Sequence, residues 1–360
     1  MYPFAYDQPS VRIVFAVGAF ERAADEARQL SRGPVLVVCS AGRRALAEDL
    51  ARRLGTDCAG LCADAVMHVP IETARAARVL AIRTGAASCL AIGGGSTIGL
   101  AKAIALETGT PIVAVPTTYA GSEMTPIYGV TEGGVKKTGR DRRVLPRLVV
   151  YDPALTVTLP VPLSAASGMN AVAHCVEALY APDRNPVTSL LAADGIRALA
   201  RALPAIAASP SNLDARSLAL YGACLAGFAL GTTSMSVHHT LCHTLGGAFN
   251  LPHAEVHTVV LPHVVAFNQH AAPDAIRVVA DALGADDPAR YLYDLALSLD
   301  VPVALEQLGM PRGGLDRAAD LAVQHPYANP RPVDYAGIRG LLEDAWTGRP
   351  PRSTYGAIVV

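Results

Sequence analysis

Between Ser236 and His263 the chain reads SVHHTLCHTLGGAFNLPHAEVHTVVLPH and holds six of its ten histidines: His238, His239, His243, His253, His257 and His263. His239 and His243 are four residues apart, so on a helix they lie on one face, a turn from each other. Gly246 and Gly247 are expected to interrupt that helix, and Pro252 to set the turn that presents His253. A smaller group lies upstream in GMNAVAHCVEALYA, where Asn170 and His174 share the same spacing. Asn170, His174, His239 and His253 could meet at one site, with His243 beside them. A single histidine on an apolar helix is ordinarily a hydrogen-bonded core residue, but six within 28 residues favour a site. Imidazole serves as metal ligand or as proton donor near neutral pH, and the cluster alone does not choose.

The elements that must carry these groups change character along the chain. Up to about residue 158, short apolar strands alternate with helices. VRIVFAVG, VLVVC, SCLAIGGGS, PIVAVP and LVVYDP are each followed by a turn or helix, the pattern of a parallel, Rossmann-like α/β sheet. From residue 159 to 360, Ala- and Leu-rich periodic segments predict an all-helical domain carrying the histidines, with PPRSTYGAIVV as a loosely docked tail. Leu218–Leu230 is the longest apolar run and is expected to be a buried helix too short to cross a bilayer.

Composition narrows the function. Net charge is −1, with no basic excess for nucleic acid and no cationic leader ahead of an apolar core. Seven cysteines without a CxxC pair suit reduced thiols, so a cytoplasmic protein without membrane or nucleic-acid partners is expected. Of 30 basic residues only Lys102, Lys136 and Lys137 are lysine, which suggests positions needing a compact ammonium instead of a planar fork.

Gly93-Gly94-Gly95-Ser96-Thr97 follows a strand and opens a helix, an arrangement that lets backbone N–H groups face a pyrophosphate. One βα unit later, PTTYAGSEMT offers the hydroxyls of Thr117, Thr118, Ser122 and Thr125 for ribose, phosphate or amide; an ordinary capping turn is the plainer reading. Lys136 and Lys137 head a cationic run, GGVKKTGRDRRVLPR. Its default reading is a solvated hairpin tip, although one of the two lysines is expected to reach cofactor or substrate.

Read together, GGGSTIGLAK, PTTYAGSEMTP, SGMNAVAHCVE and HHTLCHTLGGAFNLPHAEVH resemble the iron-containing (group III) alcohol dehydrogenase superfamily, and within it the maleylacetate reductases. The resemblance covers roughly residues 10 to 350. It implies a dehydroquinate synthase-like fold, NADH or NADPH as hydride donor, a homodimer, and reduction of the C=C bond of maleylacetate to 3-oxoadipate in the breakdown of aromatic compounds. The rival reading is an iron- or zinc-dependent dehydrogenase of a small alcohol or aldehyde.

In metal-using relatives an aspartate and three histidines hold the ion, and the matching positions here are Asn170, His174, His239 and His253. The aspartate is replaced by Asn170, and a second aspartate, in the glycine turn, by Gly99. Both changes predict that a tightly bound metal is absent. They also suit a small dicarboxylate substrate, since like charges about 4 Å apart repel by about 4 kcal/mol at an effective dielectric near 20. Without an ion, His243, His253 or His239 would stabilise the developing oxyanion as imidazolium, His243 being the first choice.

Overall fold

The structure, a computed structural model, describes residues 4–7, 10–133, 135–324, 327–352 and 355. It divides into two compact units, Gln8–Leu159 and Pro160–Val360, the second including Met1–Asp7.

The first unit is built on six parallel strands. In chain order its elements are β1 (Arg12–Phe15), α1 (Ala23–Ser31), β2 (Val35–Val38), α2 (Arg44–Leu54), β3 (Cys58–Cys62), α3 (Ile71–Arg83), β4 (Ser88–Gly93), α4 (Gly95–Thr108) and β5 (Ile112–Pro116). A hairpin, β6 (Ile127–Glu132) and β7 (Val135–Arg140), precedes β8 (Leu148–Tyr151). The sheet order is β1-β8-β5-β4-β2-β3. Strands β2, β4 and β5 are buried along their whole length, as expected of apolar, largely β-branched runs covered on both faces.

The two-residue side-chain period sorts these strands onto two cores. Val35, Val37, Leu90, Ile92, Val113 and Val115 pack with Ala27, Leu50 and Leu54. Leu36, Val38, Cys89, Ala91 and Ile112 pack on the opposite face with Ala77, Ala81, Leu100 and Ile104. The cationic run forms the antiparallel hairpin β6–β7, pairing Ile127 with Arg140 and Thr131 with Lys136.

The second unit is helical: α5 (Val161–Tyr180), α6 (Pro186–Ala208), α7 (Leu213–Thr232), α8 (Val237–Phe249), α9 (His253–Asn268), α10 (Pro273–Leu283), α11 (Pro288–Ser298), α12 (Leu315–Gln324) and α13 (Tyr335–Thr347). Helix α5 is buried from Ser164 to Tyr180 and packs against α6, α7 and α9, while α8 packs against α9 and α12. Four of these helices start with a side-chain cap. Asn185, Asn212, Asp287 and Asp334 each accept a hydrogen bond from the backbone N–H three residues on.

Three expectations are corrected here. Helix α8 runs through Gly246 and Gly247 to Phe249 and ends at Asn250, which adopts φ 52°. Helix α7 has 20 residues and is long and apolar enough to cross a membrane, yet 67 % of its apolar window is buried within the protein, the mark of a core helix. The tail is docked at Tyr355, which is buried with its hydroxyl 2.8 Å from His263 Nδ1; residues 353–354 and 356–360 lie outside the described set.

Candidate active site

Helix α5 places Asn170, His174 and Glu177 at i, i+4 and i+7, along one buried face. Glu177 does what the Ser236 side chain does not. It reaches the start of α8 and accepts from the backbone N–H groups of Ser236 (2.8 Å) and His238 (2.7 Å). The Ser236 hydroxyl is directed instead to the Ala328 carbonyl and the Asn329 side chain. A carboxylate at a helix N-terminus is favoured by the exposed N–H groups and the helix dipole.

Glu177 Oε2, which accepts from the Ser236 N–H, also lies 2.5 Å from His239 Nδ1. A carboxylate only accepts, so the proton of His239 sits on Nδ1 and the Nε2 lone pair is free to serve as donor. The His174 and His239 rings stack at 5.3 Å, and the His257 ring lies 5.1 Å from His239 and 6.0 Å from His174. One ring nitrogen from each of these three side chains lies within 4.8 Å of the others. Asn170 Oδ1, His174 Nδ1 and His257 Nε2 are buried without a hydrogen-bond partner. Burial drives the pKa values of His174, His238 and His257 well below the ordinary histidine value, and neighbouring imidazoles add to the effect. These rings are neutral lone-pair donors.

That donor set fits a divalent cation. It offers three imidazoles and a buried amide oxygen without a hydrogen-bond partner, with a carboxylate behind one ring fixing its tautomer. The expectation of a metal-free centre is therefore not supported. Among the described residues two groups of three possible ligands lie close together, His174–His239–His257 and His238–Cys242–His257, and His253 stands beside His257.

His253 opens α9 one turn earlier, with its ring 4.4 Å from His257. His253 and His243 are only partly buried; their rings stack at 6.4 Å with a 12° interplanar angle, and Tyr327 lies edge-on to His243. The centre thus has sealed rings at its base (His174, His239, His257) and two accessible rings above them (His243, His253). Glu177 escaped the sequence reading, although its placement three residues after His174 on the same helical face was the available signal.

The glycine turn lies in the first unit. A Cβ on Gly93 would run into the Thr97 side chain, and one on Gly94 would lie 2.9 Å from Thr118 Cγ2. These two glycines are therefore required by internal packing. Gly95 has only ordinary contact, Ala120 Cβ at 3.8 Å, and opens α4 together with Ser96. The backbone there remains approachable by a phosphate.

Thr97, Thr117 and Thr125 are buried, while Ser96, Thr118 and Ser122 are partly accessible. Thr125 is engaged within the protein. Its hydroxyl and carbonyl, the carbonyls of Ser122 and Ile127, and the Ser122 hydroxyl all accept from Lys102 Nζ at 2.7–3.3 Å. Lys102 is wholly buried; burial lowers its pKa to about 7, and Glu123 acts in the opposite sense. A compact ammonium can meet five oxygens from different directions where a planar guanidinium cannot. Lys137 is exposed and bonds Glu132 at 2.7 Å on the hairpin surface, whereas Lys136 is partly buried on the side that affects His68 electrostatically.

Comparison with known proteins decides the family. Residues 9–153 match the family described as iron-containing alcohol dehydrogenase, and residues 164–346 match the C-terminal part of the Fe-containing alcohol dehydrogenase family. The chain belongs to the iron-containing alcohol dehydrogenase family. Similar members of this family include a maleylacetate reductase of Burkholderia cepacia, 54 % identical over 98 % of this chain and 100 % of the relative. Another, from Sphingobium indicum, is 51 % identical over 97 % and 99 %. Among solved structures, a putative alcohol dehydrogenase of Ralstonia eutropha JMP134 superimposes with TM-score 0.95 at 54 % identity, covering 98 % of this chain and 100 % of its own. A maleylacetate reductase of Agrobacterium tumefaciens gives 0.93 at 46 % identity over 98 % and 100 %. The fold of this iron-containing alcohol dehydrogenase family member, a parallel α/β sheet unit and a helical unit, is that of its relatives.

Proposed function

We propose that this protein is a maleylacetate reductase: it reduces the C=C bond of maleylacetate to 3-oxoadipate with NADH or NADPH. The observation that carries this reading is identity of about half the residues, over nearly the full length of both chains, with several maleylacetate reductases. The centre supports it. A neutral Asn170 stands where an anionic ligand would repel a dicarboxylate, and two accessible imidazoles stand over three sealed ones.

A bound nicotinamide would supply the hydride, and a divalent ion held among the histidines of the centre would supply Lewis-acid polarisation of an oxygen. The chain's own groups do the rest. His174 and His239 present lone pairs at the base of the site, and Glu177 holds the His239 ring in register. His243 and His253 carry the mobile protons, and His243 delivers one to the substrate carbon with Tyr327 beside it. In the nucleotide unit, Gly95 and Ser96 present backbone N–H groups to the pyrophosphate. Thr118 and Ser122 contribute hydroxyls, and Lys102 keeps the Ser122–Ile127 stretch in shape.

Lys136 supplies a cation toward cofactor or substrate, while Lys137 stays in the surface pair. The Ser40–Arg44 turn after β2 contains no acidic residue, so a 2′-phosphate is tolerated and both NADH and NADPH serve. A homodimer is part of this reading and is checked by light scattering.

The test follows nicotinamide absorbance with maleylacetate as substrate, using protein stripped with chelator and protein reloaded with Zn²⁺ or Fe²⁺. Maleylacetate-dependent oxidation of NADH or NADPH, with small aldehydes far poorer, is the expected result. Turnover of small alcohols alone would overturn the substrate assignment.

A further inference from the structure

Ser236, Thr240 and His243 are spaced i, i+4 and i+7 along α8 and its cap, so they share one face of the helix. Residues 327–331, outside helix and strand, run along that face. The Tyr327 N–H donates to Thr240 Oγ1 at 3.2 Å, and the Ser236 hydroxyl faces both the Ala328 carbonyl at 2.7 Å and Asn329 Oδ1 at 2.8 Å. Asn329 and Arg331 each precede a proline, which disfavours helical backbone and keeps this strap from coiling.

Asn329 is the hub of the strap. Its amide exchanges two hydrogen bonds with the fully buried Asn268 at the end of α9, Oδ1 accepting at 3.0 Å and Nδ2 donating at 2.7 Å. Nδ2 also donates to the Arg331 carbonyl at 2.7 Å. With Ser236 as the second donor to Oδ1, both N–H groups and both lone pairs of the amide are used. A polar network satisfied in this way makes the backbone that carries it rigid.

What the strap presents is Tyr327. Its ring stands edge-on to His243, with centroids 6.2 Å apart at 86°, and its hydroxyl lies 3.5 Å from His243 Nδ1, at the long limit for a hydrogen bond. Both side chains are partly accessible. Catalytic contacts of this length commonly tighten once substrate is bound, and one so long leaves the phenol hydrogen available to a substrate oxygen.

We propose that Tyr327 is a further catalytic residue, its hydroxyl donating a hydrogen bond to a substrate oxygen beside His243, and that Thr240 and Asn329 are positioning residues that act through it. The proposal rests on the reading that places His243 at the substrate, and is independent of which side chains hold an ion.

The test is steady-state kinetics of the full-length enzyme with maleylacetate and NADH, with melting temperature checking each variant. Tyr327→Phe should lower kcat roughly a hundredfold, the effect of removing one hydrogen-bond donor to a developing charge, and leave KM for NADH unchanged. Thr240→Val keeps the shape but removes the acceptor of the Tyr327 N–H, and Asn329→Ala frees the strap. Each should lower kcat roughly tenfold with KM for NADH unchanged, whereas Thr240→Ser should stay near wild type. In a Tyr327→Phe background Thr240→Val should cost almost nothing more, because the hydroxyl it aims is gone.

Wild-type kcat in Tyr327→Phe, or an equal penalty for Thr240→Val in both backgrounds, would overturn the proposal. Should Asn329→Ala fail to fold, the shape-matched Thr240→Val carries the test. A second readout needs no substrate. In protein carrying 3-fluorotyrosine, the fluorine resonance missing from Tyr327→Phe should shift in Thr240→Val and return in Thr240→Ser; a resonance that stays in place would overturn the positioning. A wild type inert toward maleylacetate that still shows this shift rejects the substrate assignment and leaves the strap standing.

Discussion

The Glu177 carboxylate joins two helices at the His239 imidazole, with Oε2 2.5 Å from Nδ1 while the same side chain caps α8 through the Ser236 and His238 N–H groups. One buried residue thus starts the helix and sets the tautomer of its functional ring. Glu177→Gln keeps the shape but puts an amide N–H among donors. The expected cost is about 1–3 kcal/mol in urea unfolding, for buried groups left unpaired. Zn²⁺ affinity should fall roughly ten- to a hundredfold. Unchanged values in both measurements would remove Glu177 from this role.

Lys102 is the corresponding lock in the nucleotide unit. Lys102→Met strands three carbonyls and two hydroxyls, so unfolding free energy should drop by about 3 kcal/mol or more. Because the loosened stretch is Ser122–Ile127, KM for NADH should rise more than KM for maleylacetate. Lys102→Arg should not rescue either property.

Asn170→Asp restores an anionic ligand at the matched position. Zn²⁺ should bind more tightly, while KM for the dicarboxylate in stripped protein should rise about tenfold or more through like-charge repulsion. A KM that does not move would remove the charge argument for Asn170.

Gly99 is held small by Val69. A Cβ at Gly99 would lie 2.9 Å from Val69 Cγ2, and Val69 adopts φ 46°, a conformation that β-branched residues avoid. Gly99→Asp should therefore lower stability by about 1–3 kcal/mol. Adding Val69→Gly should restore it by clearing the contact and accepting the backbone angle. Differential scanning calorimetry of the single and double variants checks both steps.

Acid stability follows from His263. Burial, with Arg352 nearby, lowers its pKa from 6.5 to about 3. Between those values the unfolded chain binds a proton that the folded chain refuses, so stability rises with pH. The His263 contribution is complete above pH 6.5 and is lost as pH falls toward 3, at about 1.36 kcal/mol per pH unit. Urea unfolding across that range should show a shallower slope for His263→Gln than for wild type.

Much of this arrangement is legible in the chain. Short, valine-rich apolar runs such as VLVV and IVAVP favour strands covered on both sides, and the α5 spacing of Asn170 and His174 puts them on one helix face. Glu177 was harder to see, because a single carboxylate in an apolar helix takes its meaning from a helix start 59 residues away. His253 and His257 share a spacing on α9. Which of them reaches the sealed base depends on where the helix begins, and Gly246 and Gly247 gave a misleading break upstream. Lys102 stood out as a lysine in an arginine-rich chain, but its five oxygens come from residues 20 to 25 positions later. The same distance hid the fact that Thr125 is already occupied.

The threonines wedged against Gly93 and Gly94 have a further effect. With Thr97 and Thr118 filling the space that other side chains would take, the turn before α4 is already in one shape when the apo chain finishes folding. A dinucleotide arriving at Gly95 has little disorder to suppress there, so discrimination between related cofactors falls to groups elsewhere, and grip strength can change without redrawing the turn.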